Sequence, residues 1–390
     1  MLVDTVLEPI LKDLPAHRAA LTGLREILLA NAVMCGEIPS PTFGEEALVR
    51  FLCDRFTESG LQNISTDETG NAIALIPGTE GKRTVLVAAH IDKIWDKSID
   101  HTIAVTPERL VGPGIADNSL GAAVLVSLPA ILDRLDVRLA SNLILLGTTR
   151  SMGKGDLAGL RFFIDNTKVP IHAAVCVEGV EIGRLSYASL GMVRAEISVR
   201  TEEERDWQRS NGSGAIVALN RVIDEILGIE TPGRPRTSII LGSILAGNAY
   251  NVAPTKATLR FEVRSEQPGM VARIHERIAE IVERVNAEDR VKARLDVIAR
   301  RRPGGIDFSH PMVKATREIM GALGIQPKVA PSTNELSALV DKGIPGVTLG
   351  ITRGAEKHSF DESVEVEPIF SGIAQLTGVL RAVDGGICDE

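Results

Sequence analysis

Four apolar segments, three of which end in polar or small residues, constrain the fold of this chain more than any other feature. They are TVLVAAHID (84–92), NLILLGTT (142–149), HAAVCVEG (172–179) and GVTLGI (346–351). Runs of this kind are typical of strands that are buried on both faces. Segments with helical spacing lie between them, such as DNSLGAAVLVSLPAILDRL (117–135). Alternating strands and helices predict an α/β fold whose mostly parallel sheet carries helices on both faces.

The pattern changes near residue 190. GMVRAEISVRT (191–201) alternates apolar and polar residues, which indicates a half-buried strand. The segments that follow give the order β-α-β-β-α-β over roughly 110 residues, the order of a ferredoxin-like unit. We therefore predict a discontinuous α/β domain, 1–190 plus 303–390, and an inserted αβ domain, 191–302.

Charge and composition exclude several classes of partner. The net charge is −8 and the pI about 5.6, which argues against a nucleic-acid partner, because binding phosphates requires clustered cations. The four cysteines lie far apart without a CxxC pair, so neither a disulfide framework nor a thiolate zinc site is indicated. No signal peptide and no unbroken apolar run of about 18 residues is found. We expect a cytoplasmic protein without a membrane partner.

Polar residues at the ends of the apolar segments are the first candidates for chemistry. His90 and Asp92 are two residues apart, on the same side of a strand. A neutral imidazole can bind a metal, and a neighbouring carboxylate can fix its tautomer. Taken alone, the pair fits equally a buried histidine with a hydrogen-bonding partner.

Three more residues have the same double interpretation. Asp117 lies in a glycine-rich loop before a helix and could be an N-cap. Glu178 ends a buried strand, where an unpaired carboxylate is costly. His358 lies in a polar loop. Together with His90 they form a convergent set of the kind that an open catalytic metal site requires.

The order of these segments resembles a known family. AAHIDKI, GPGIADNSLGAAVLV, AGNAYNVAPTKATLRFEVRS and DKGIPGVTLGITRGAEKHSFDESVEVEP are similar to motifs of the co-catalytic zinc exopeptidases. That family includes aminoacylase, peptidase T, glutamate carboxypeptidase and succinyl-diaminopimelate desuccinylase. The resemblance runs nearly end to end. It implies a phosphorylase/hydrolase-like sheet with an inserted lid and dimerisation domain.

The resemblance also implies roles for the site residues. Asp117 would bridge two metal ions, His90 and Glu178 would complete one ion, and His358 with a further glutamate would complete the other. Asp92 would orient His90. In the lid, Arg205, Asn251 and Arg264 would bind the substrate, which would be a small peptide or an N-acyl amino acid. Relatives often form dimers through the lid, and its apolar strand TSIILGSILAG (237–247) could be an exposed edge, so we expect a homodimer.

One position departs from the family. Where relatives carry a Glu-Glu pair, which supplies the general base and a second-metal ligand, this chain carries Arg150 and Ser151. Arginine stays protonated and cannot act as a base, and serine is a poor zinc ligand. Replacing two anions in this way makes two neighbouring dications improbable. We therefore expect one zinc ion or none, with Arg150 free to pair with Asp117 or Glu178.

Three functions follow from this departure. The chain could be a zinc-dependent peptidase or amidohydrolase with an impaired metal site and base. It could instead be an inactive relative that binds a small carboxylated ligand or serves as a regulatory subunit. The third function is a different reaction on the same scaffold, in which Arg150 polarises a carbonyl or holds a carboxylate of the substrate.

Overall fold

The structure is a computed structural model that describes residues 2–201, 205–206, 214–288 and 291–389. Contacts divide the chain into two compact units. One comprises Met1–Ser189 and Gly305–Glu390, and the other Leu190–Gly304.

The helices of the described residues are α1 Leu2–Leu21, α2 Arg25–Glu37, α3 Glu46–Glu58, α4 Leu120–Arg134, α5 Ala158–Asn166, α6 Ala215–Leu227, α7 Met270–Glu288, α8 Pro311–Ala322, α9 Leu336–Asp341 and α10 Glu367–Asp384. The strands are β1 Gln62–Thr66, β2 Ala72–Ile76, β3 Thr84–His90, β4 Ala104–Val105, β5 Arg109–Val111, β6 Asn142–Thr148, β7 Ala173–Val180, β8 Arg184–Ser186, β9 Ala188–Ser189, β10 Gly191–Arg200, β11 Arg205–Asp206, β12 Thr237–Ala246, β13 Val252–Ala253, β14 Lys256–Ser265, β15 Lys292–Arg301, β16 Gly304–Gly305, β17 Lys328–Val329, β18 Gly346–Thr352, β19 Gly354–Ala355 and β20 Ser363–Glu365.

The first unit is built on an eight-stranded sheet with the order β1-β2-β6-β3-β7-β18-β8-β17. Its centre, β6-β3-β7-β18, is parallel. Strands β1 and β2 pair antiparallel with their neighbours, and β8 pairs antiparallel with β18 and parallel with β17. The four predicted apolar segments are the four central strands, and the prediction of a mostly parallel sheet is confirmed.

Two apolar cores cover the two faces of this sheet. On β3, Val85, Val87 and Ala89 belong to the larger core, which contains buried residues of α1, α2, α4, α8 and α10. Leu86 and Ala88 point to the opposite face, into a smaller core formed with α5 and α9. The strand period of two therefore separates the side chains of each central strand between two helical layers.

The second unit carries the predicted β-α-β-β-α-β order as β10, α6, β12, β14, α7 and β15, with the short strands β11 and β13 added. Its four-stranded antiparallel sheet has the order β12-β14-β10-β15. Helices α6 and α7 pack their apolar faces on this sheet around residues such as Leu219, Ile278 and Phe261. Strand β12 is thus an edge of the sheet.

Two segments of the described chain are long and apolar enough to cross a membrane by length and composition, 4–37 and 115–134. The second is 89% buried inside the protein. Core helices pass the same test, so these segments are weak evidence for a membrane span.

Candidate metal centre

Three central strands deliver polar side chains to one place. His90, Thr148 and Glu178 have the same alternation parity as Ala88, Leu146 and Cys176, which face the smaller core. Parallel strands end at the same edge of a sheet, and ligand sites of α/β proteins lie at that carboxyl edge. The alternation of each strand therefore brings these three side chains to one edge and one face.

The loop that precedes α4 adds Asp117 to this edge. One donor atom from each of His90, Asp117 and Glu178 lies within 4.8 Å of the others, and all three residues are buried. Among the described residues, this is the group whose side chains could hold a metal ion together. An imidazole and two carboxylates are ligands that suit zinc, and three protein ligands are typical of a catalytic zinc with an open position.

The two nitrogens of His90 face two different aspartates. Nε2 lies 3.0 Å from Asp117 Oδ1, and Nδ1 lies 3.2 Å from the backbone carbonyl oxygen of Asp92 and 3.5 Å from its Oδ1. The other carboxylate oxygen of Asp92 accepts hydrogen bonds from Thr42 and from the backbone N–H of Met152. Asp92 thus lies on the Nδ1 side of the imidazole, whereas Asp117 lies on the Nε2 side. Burial alone would lower the pKa of His90, but the hydrogen bonds to Asp117 and Asp92 outweigh it and raise that pKa well above its usual value.

The second oxygen of Asp117 contacts a histidine and a lysine. Asp117 Oδ2 lies 2.8 Å from His358 Nε2 and 3.1 Å from Lys357 Nζ. Burial opposes ionisation of Asp117, yet the hydrogen bonds from His358 and His90 hold its pKa well below the usual range. The same contact raises the pKa of His358. The ammonium group of Lys357 and the imidazole of His358 thus both engage the second oxygen of Asp117.

Glu362 joins the loops that carry Asp117 and His358. This fully buried carboxylate accepts hydrogen bonds of 2.7 Å from the backbone N–H groups of Ala116 and Asp117. Its second oxygen accepts weaker ones, at 3.3 Å, from the N–H groups of Gly114 and His358. Burial raises its pKa. Glu362 therefore fixes the relative position of the two loops without pointing at the donor group.

Asn118 fixes the end of β7 on both sides of Glu178. Its side-chain amide donates to the carbonyl of Val177, and its carbonyl accepts from the N–H of Gly179, at 2.8 and 2.7 Å. The Glu178 carboxylate itself accepts a hydrogen bond from Asn334. The loop that carries Asp117 is thus tied directly to the strand that carries Glu178.

Replacing Asn118 by alanine should lower the free energy of unfolding by about 2–3 kcal/mol, because two buried backbone groups lose their partner. Urea unfolding monitored by circular dichroism measures this change. The control is Asn166→Ala, at an exposed helix end, which should stay within about 0.5 kcal/mol of the wild type. Equal stabilities for the two variants would contradict the assigned role of Asn118.

Arg150 and Ser151 lie on a tight turn after β6 and point to different surroundings. Arg150 has φ +53°, and its guanidinium carbon lies 5.8 Å from the centre of the Phe43 ring. Within the described chain no contact of this guanidinium with Asp117 or Glu178 is found. Ser151 is buried, and its hydroxyl lies 3.2 Å from that of Thr148. Of the two residues, Ser151 belongs to the site.

Three site residues escaped the sequence reasoning: Lys357, Glu362 and Glu335. Lys357 directly precedes His358, and Glu362 follows it by four residues. Charged residues this close to a candidate ligand in sequence were a usable signal for members of the site. Glu335 is 2% exposed at the start of α9, and its carboxylate is hydrogen-bonded by Ser151. A buried acid beside a predicted catalytic position carries no sequence signature that distinguishes it from a helix cap.

The predicted substrate-binding residues lie in the second unit. Asn251 is exposed beside β13, and Arg264 lies on β14 in an ion pair with Glu262. Arg205 begins β11, opposite Ala253, and its side chain is outside the described part of the chain. Their roles stay predictions.

A mostly parallel sheet with a buried donor group at its carboxyl edge is an architecture suited to a metal-dependent hydrolase. Residues 86–382 match peptidase family M20/M25/M40. The chain belongs to this family, which confirms the resemblance drawn from its motifs. Comparison with curated proteins by sequence gives no match.

Solved structures with low sequence identity share the fold. A tripeptidase from Staphylococcus aureus subsp. aureus Mu50 has a TM-score of 0.74 at 16% identity, over 92% of this chain and 98% of that one. The dipeptidase Dug1p from Saccharomyces cerevisiae gives 0.77 at 13%, over 95% and 98%. The YXEP protein of Bacillus subtilis, described as a dinuclear metal-binding peptidase from the M20 family, gives 0.63 at 17%, over 93% and 98%.

Proposed function

We propose that this chain is a zinc-dependent peptidase or amidohydrolase that acts on small peptides or N-acyl amino acids and uses one metal ion. The observation that carries the proposal is the unequal surroundings of the two Asp117 oxygens. Oδ1 faces His90 within the buried donor group, whereas Oδ2 contacts Lys357 and His358. A fixed ammonium repels a second dication at that oxygen, so one ion is expected.

The donor set supports zinc over a harder cation. His90, Asp117 and Glu178 offer one nitrogen and two carboxylates, and all three are at most 6% exposed. Bound zinc would polarise a substrate carbonyl and acidify a water molecule. Asp92, behind His90, would hold the imidazole in the orientation needed for binding, as carboxylates next to ligating histidines commonly do.

A second candidate function has its own supporting observation. The turn after β6 carries Arg150 and Ser151, and neither can take a proton from water at neutral pH. If this pair replaces a catalytic acidic pair and nothing else supplies a base, the chain is an inactive relative. It would then bind a small carboxylated ligand or serve as a regulatory subunit.

Metal analysis and a substrate panel separate the two functions. Protein purified without chelator is analysed for bound metal and then assayed with dipeptides, tripeptides and N-acyl amino acids in the presence of Zn²⁺, Co²⁺ or Mn²⁺. The proposed enzyme contains about one zinc per chain and hydrolyses at least one substrate, and the Glu178→Gln variant loses both properties. Bound metal without hydrolysis supports the inactive relative. Protein that takes up no metal contradicts the proposal.

We also propose that the chain is cytoplasmic and forms a homodimer through the edge strand β12. Ile244 and Leu245 on this strand are 56% and 55% exposed, and unpaired edges with apolar residues favour strand pairing. Sedimentation at micromolar concentration tests the dimer, and a monomer there counts against it. Arg205, Asn251 and Arg264 are proposed to bind the substrate.

A further inference from the structure

Glu335 is a buried acid whose hydrogen-bonding partners among the described residues are neutral. It is 2% exposed. Thr148 Oγ1 lies 3.4 Å from Glu335 Oε1, and the hydroxyl of Ser151 and the backbone N–H of Glu335 are further donors. Hydroxyl donors compensate only a part of the cost of burying a carboxylate. Burial accordingly raises the pKa of Glu335. A carboxylate kept in such surroundings requires an explanation other than stability.

The contacts of neighbouring residues place Glu335 beside the metal centre. Thr148, which lies 3.4 Å from Glu335, is the partner of His90 in the pairing of β6 with β3, and Asn334 donates a hydrogen bond to Glu178. After burial, the groups that most affect its ionisation are His90, which favours it, and Glu178, which opposes it. Lys357 and His358 contact a different residue of the site, at Asp117 Oδ2. Glu335 therefore lies next to residues that contact His90 and Glu178, and the ammonium of Lys357 is engaged by Asp117.

Glu335 is nevertheless outside the donor group formed by His90, Asp117 and Glu178. Its position is set by two elements at the same sheet edge, because α9 begins at the next residue and β6 ends at Thr148. A buried carboxylate beside the donor group, but not part of it, is suited to accept a proton from a water molecule at the open position of the site.

We propose that Glu335 is the proton acceptor of this site and that it replaces, from α9, an acid that the turn after β6 lacks. The proposal rests on the hydrolytic function proposed above. When water adds to the amide carbonyl, one O–H bond breaks, the C–O bond forms and the proton passes to Glu335. The C–N bond then breaks, and the same proton passes to the leaving amine.

Ser151 and Glu335 are complementary in this scheme. The small hydroxyl at 151 leaves room for the carboxylate and donates to it. A glutamate at 151 would bring a second carboxylate to the same place, which is unfavourable for like charges. The two positions should therefore be exchangeable, and one acid at either of them should serve the reaction.

The exchange is tested with Glu335→Gln, the double variant Ser151→Glu/Glu335→Gln and the control Asp384→Asn. Asp384 accepts two backbone N–H groups before β6, at the other end of that strand. We expect Glu335→Gln to lower kcat by about 10²–10⁴-fold, with bound zinc unchanged. The kcat of the double variant should be at least tenfold higher than that of Glu335→Gln. Asp384→Asn should keep its kcat.

Thermal unfolding of the metal-free protein gives a readout that does not depend on activity. Removing an uncompensated buried charge should raise the melting temperature of Glu335→Gln by about 2–4 °C. Asp384→Asn should instead lower it, because the asparagine side chain can accept from only one of the two backbone N–H groups. If Glu335 has only a structural role, Glu335→Gln should lower the melting temperature as Asp384→Asn does. A Glu335→Gln protein that fails to fold would likewise indicate a structural role.

Three results would overturn the inference: kcat of Glu335→Gln within threefold of the wild type, loss of the bound zinc in that variant, or no recovery in the double variant. If the wild type binds zinc but hydrolyses none of the substrates, the proposed hydrolytic function is wrong, whatever the role of Glu335. The substrate panel detects that outcome before any variant is made.

Discussion

The Asp117→Asn variant should bind Zn²⁺ about 10³-fold more weakly than the wild type. Loss of an outer partner of a ligand costs about 10–100-fold in metal affinity, and here a ligand carboxylate itself is lost. Asparagine keeps the shape of the side chain but removes the charge that faces His90, His358 and Lys357. Competition with a chromogenic chelator at about neutral pH measures the difference in zinc affinity.

The metal-free Asp117→Asn protein should also be less stable, by about 3 kcal/mol, because removing one partner of a buried ionic cluster leaves the others uncompensated. Urea unfolding in the presence of chelator measures this second effect. Asp384→Asn provides the matched control for the loss of a carboxylate, and its zinc affinity should stay within about threefold of the wild type. Asp117→Asn with undiminished zinc affinity would exclude the donor group as the metal site.

The positions of His90 and Glu178 could be derived from the sequence because they depend on local rules. An apolar run predicts a buried strand, the period of two assigns each side chain to a face, and parallel strands end at one edge. Both residues therefore had to face the same cleft once the strands were assigned. The inserted unit was equally predictable, since its change from continuous to alternating apolar residues is visible at residue 191.

The direction of Arg150 could not be derived in this way. Its left-handed backbone ends the alternation of β6, and the turn closes so tightly that a Cβ on Gly155 would lie 2.3 Å from the Arg150 carbonyl oxygen. Periodicity assigns no face to a residue in such a turn. The sequence left open a pairing of Arg150 with Asp117 or Glu178, and the structure instead places its guanidinium near Phe43.

The roles of Lys357 and Glu335 depend on contacts between distant loops. Lys357 reaches Asp117 across 240 positions of sequence, and Glu335 meets the end of β6 from a separate helix. No local pattern encodes such contacts. The sequence offered Arg150 as a cation that could pair with Asp117. Within the described residues the cation beside Asp117 is the lysine at 357 with its neighbour His358, rather than an arginine at 150.

Replacing Lys357 by glutamine should open the second side of Asp117 to a metal ion. The Nζ atom lies 3.1 Å from Asp117 Oδ2, and an ammonium this close repels a dication by several kcal/mol even at an effective dielectric constant of about 20. We expect the affinity for a second Zn²⁺ to rise about 100-fold in Lys357→Gln. Adding Ser151→Glu should supply a carboxylate ligand, because the second bound ion offsets the repulsion between this carboxylate and Glu335, and should bring the stoichiometry to about two ions per chain.

Native mass spectrometry and metal analysis after gel filtration count the ions, with Lys82→Gln as the control for loss of an exposed lysine paired with Glu80. The control should stay at the wild-type stoichiometry of about one ion, because the exposed Lys82–Glu80 pair contributes little and is screened by salt. Two zinc ions in the wild type would mean that the ammonium of Lys357 moves aside on binding. A single ion in the Lys357→Gln/Ser151→Glu variant would mean that His358 and Asp117 Oδ2, even with a new carboxylate, do not form a second site. Lys357→Gln changes only the charge beside Asp117, and the further change Ser151→Glu adds a ligand. The ion counts of the single and double variants therefore separate the effect of charge from the effect of ligand number.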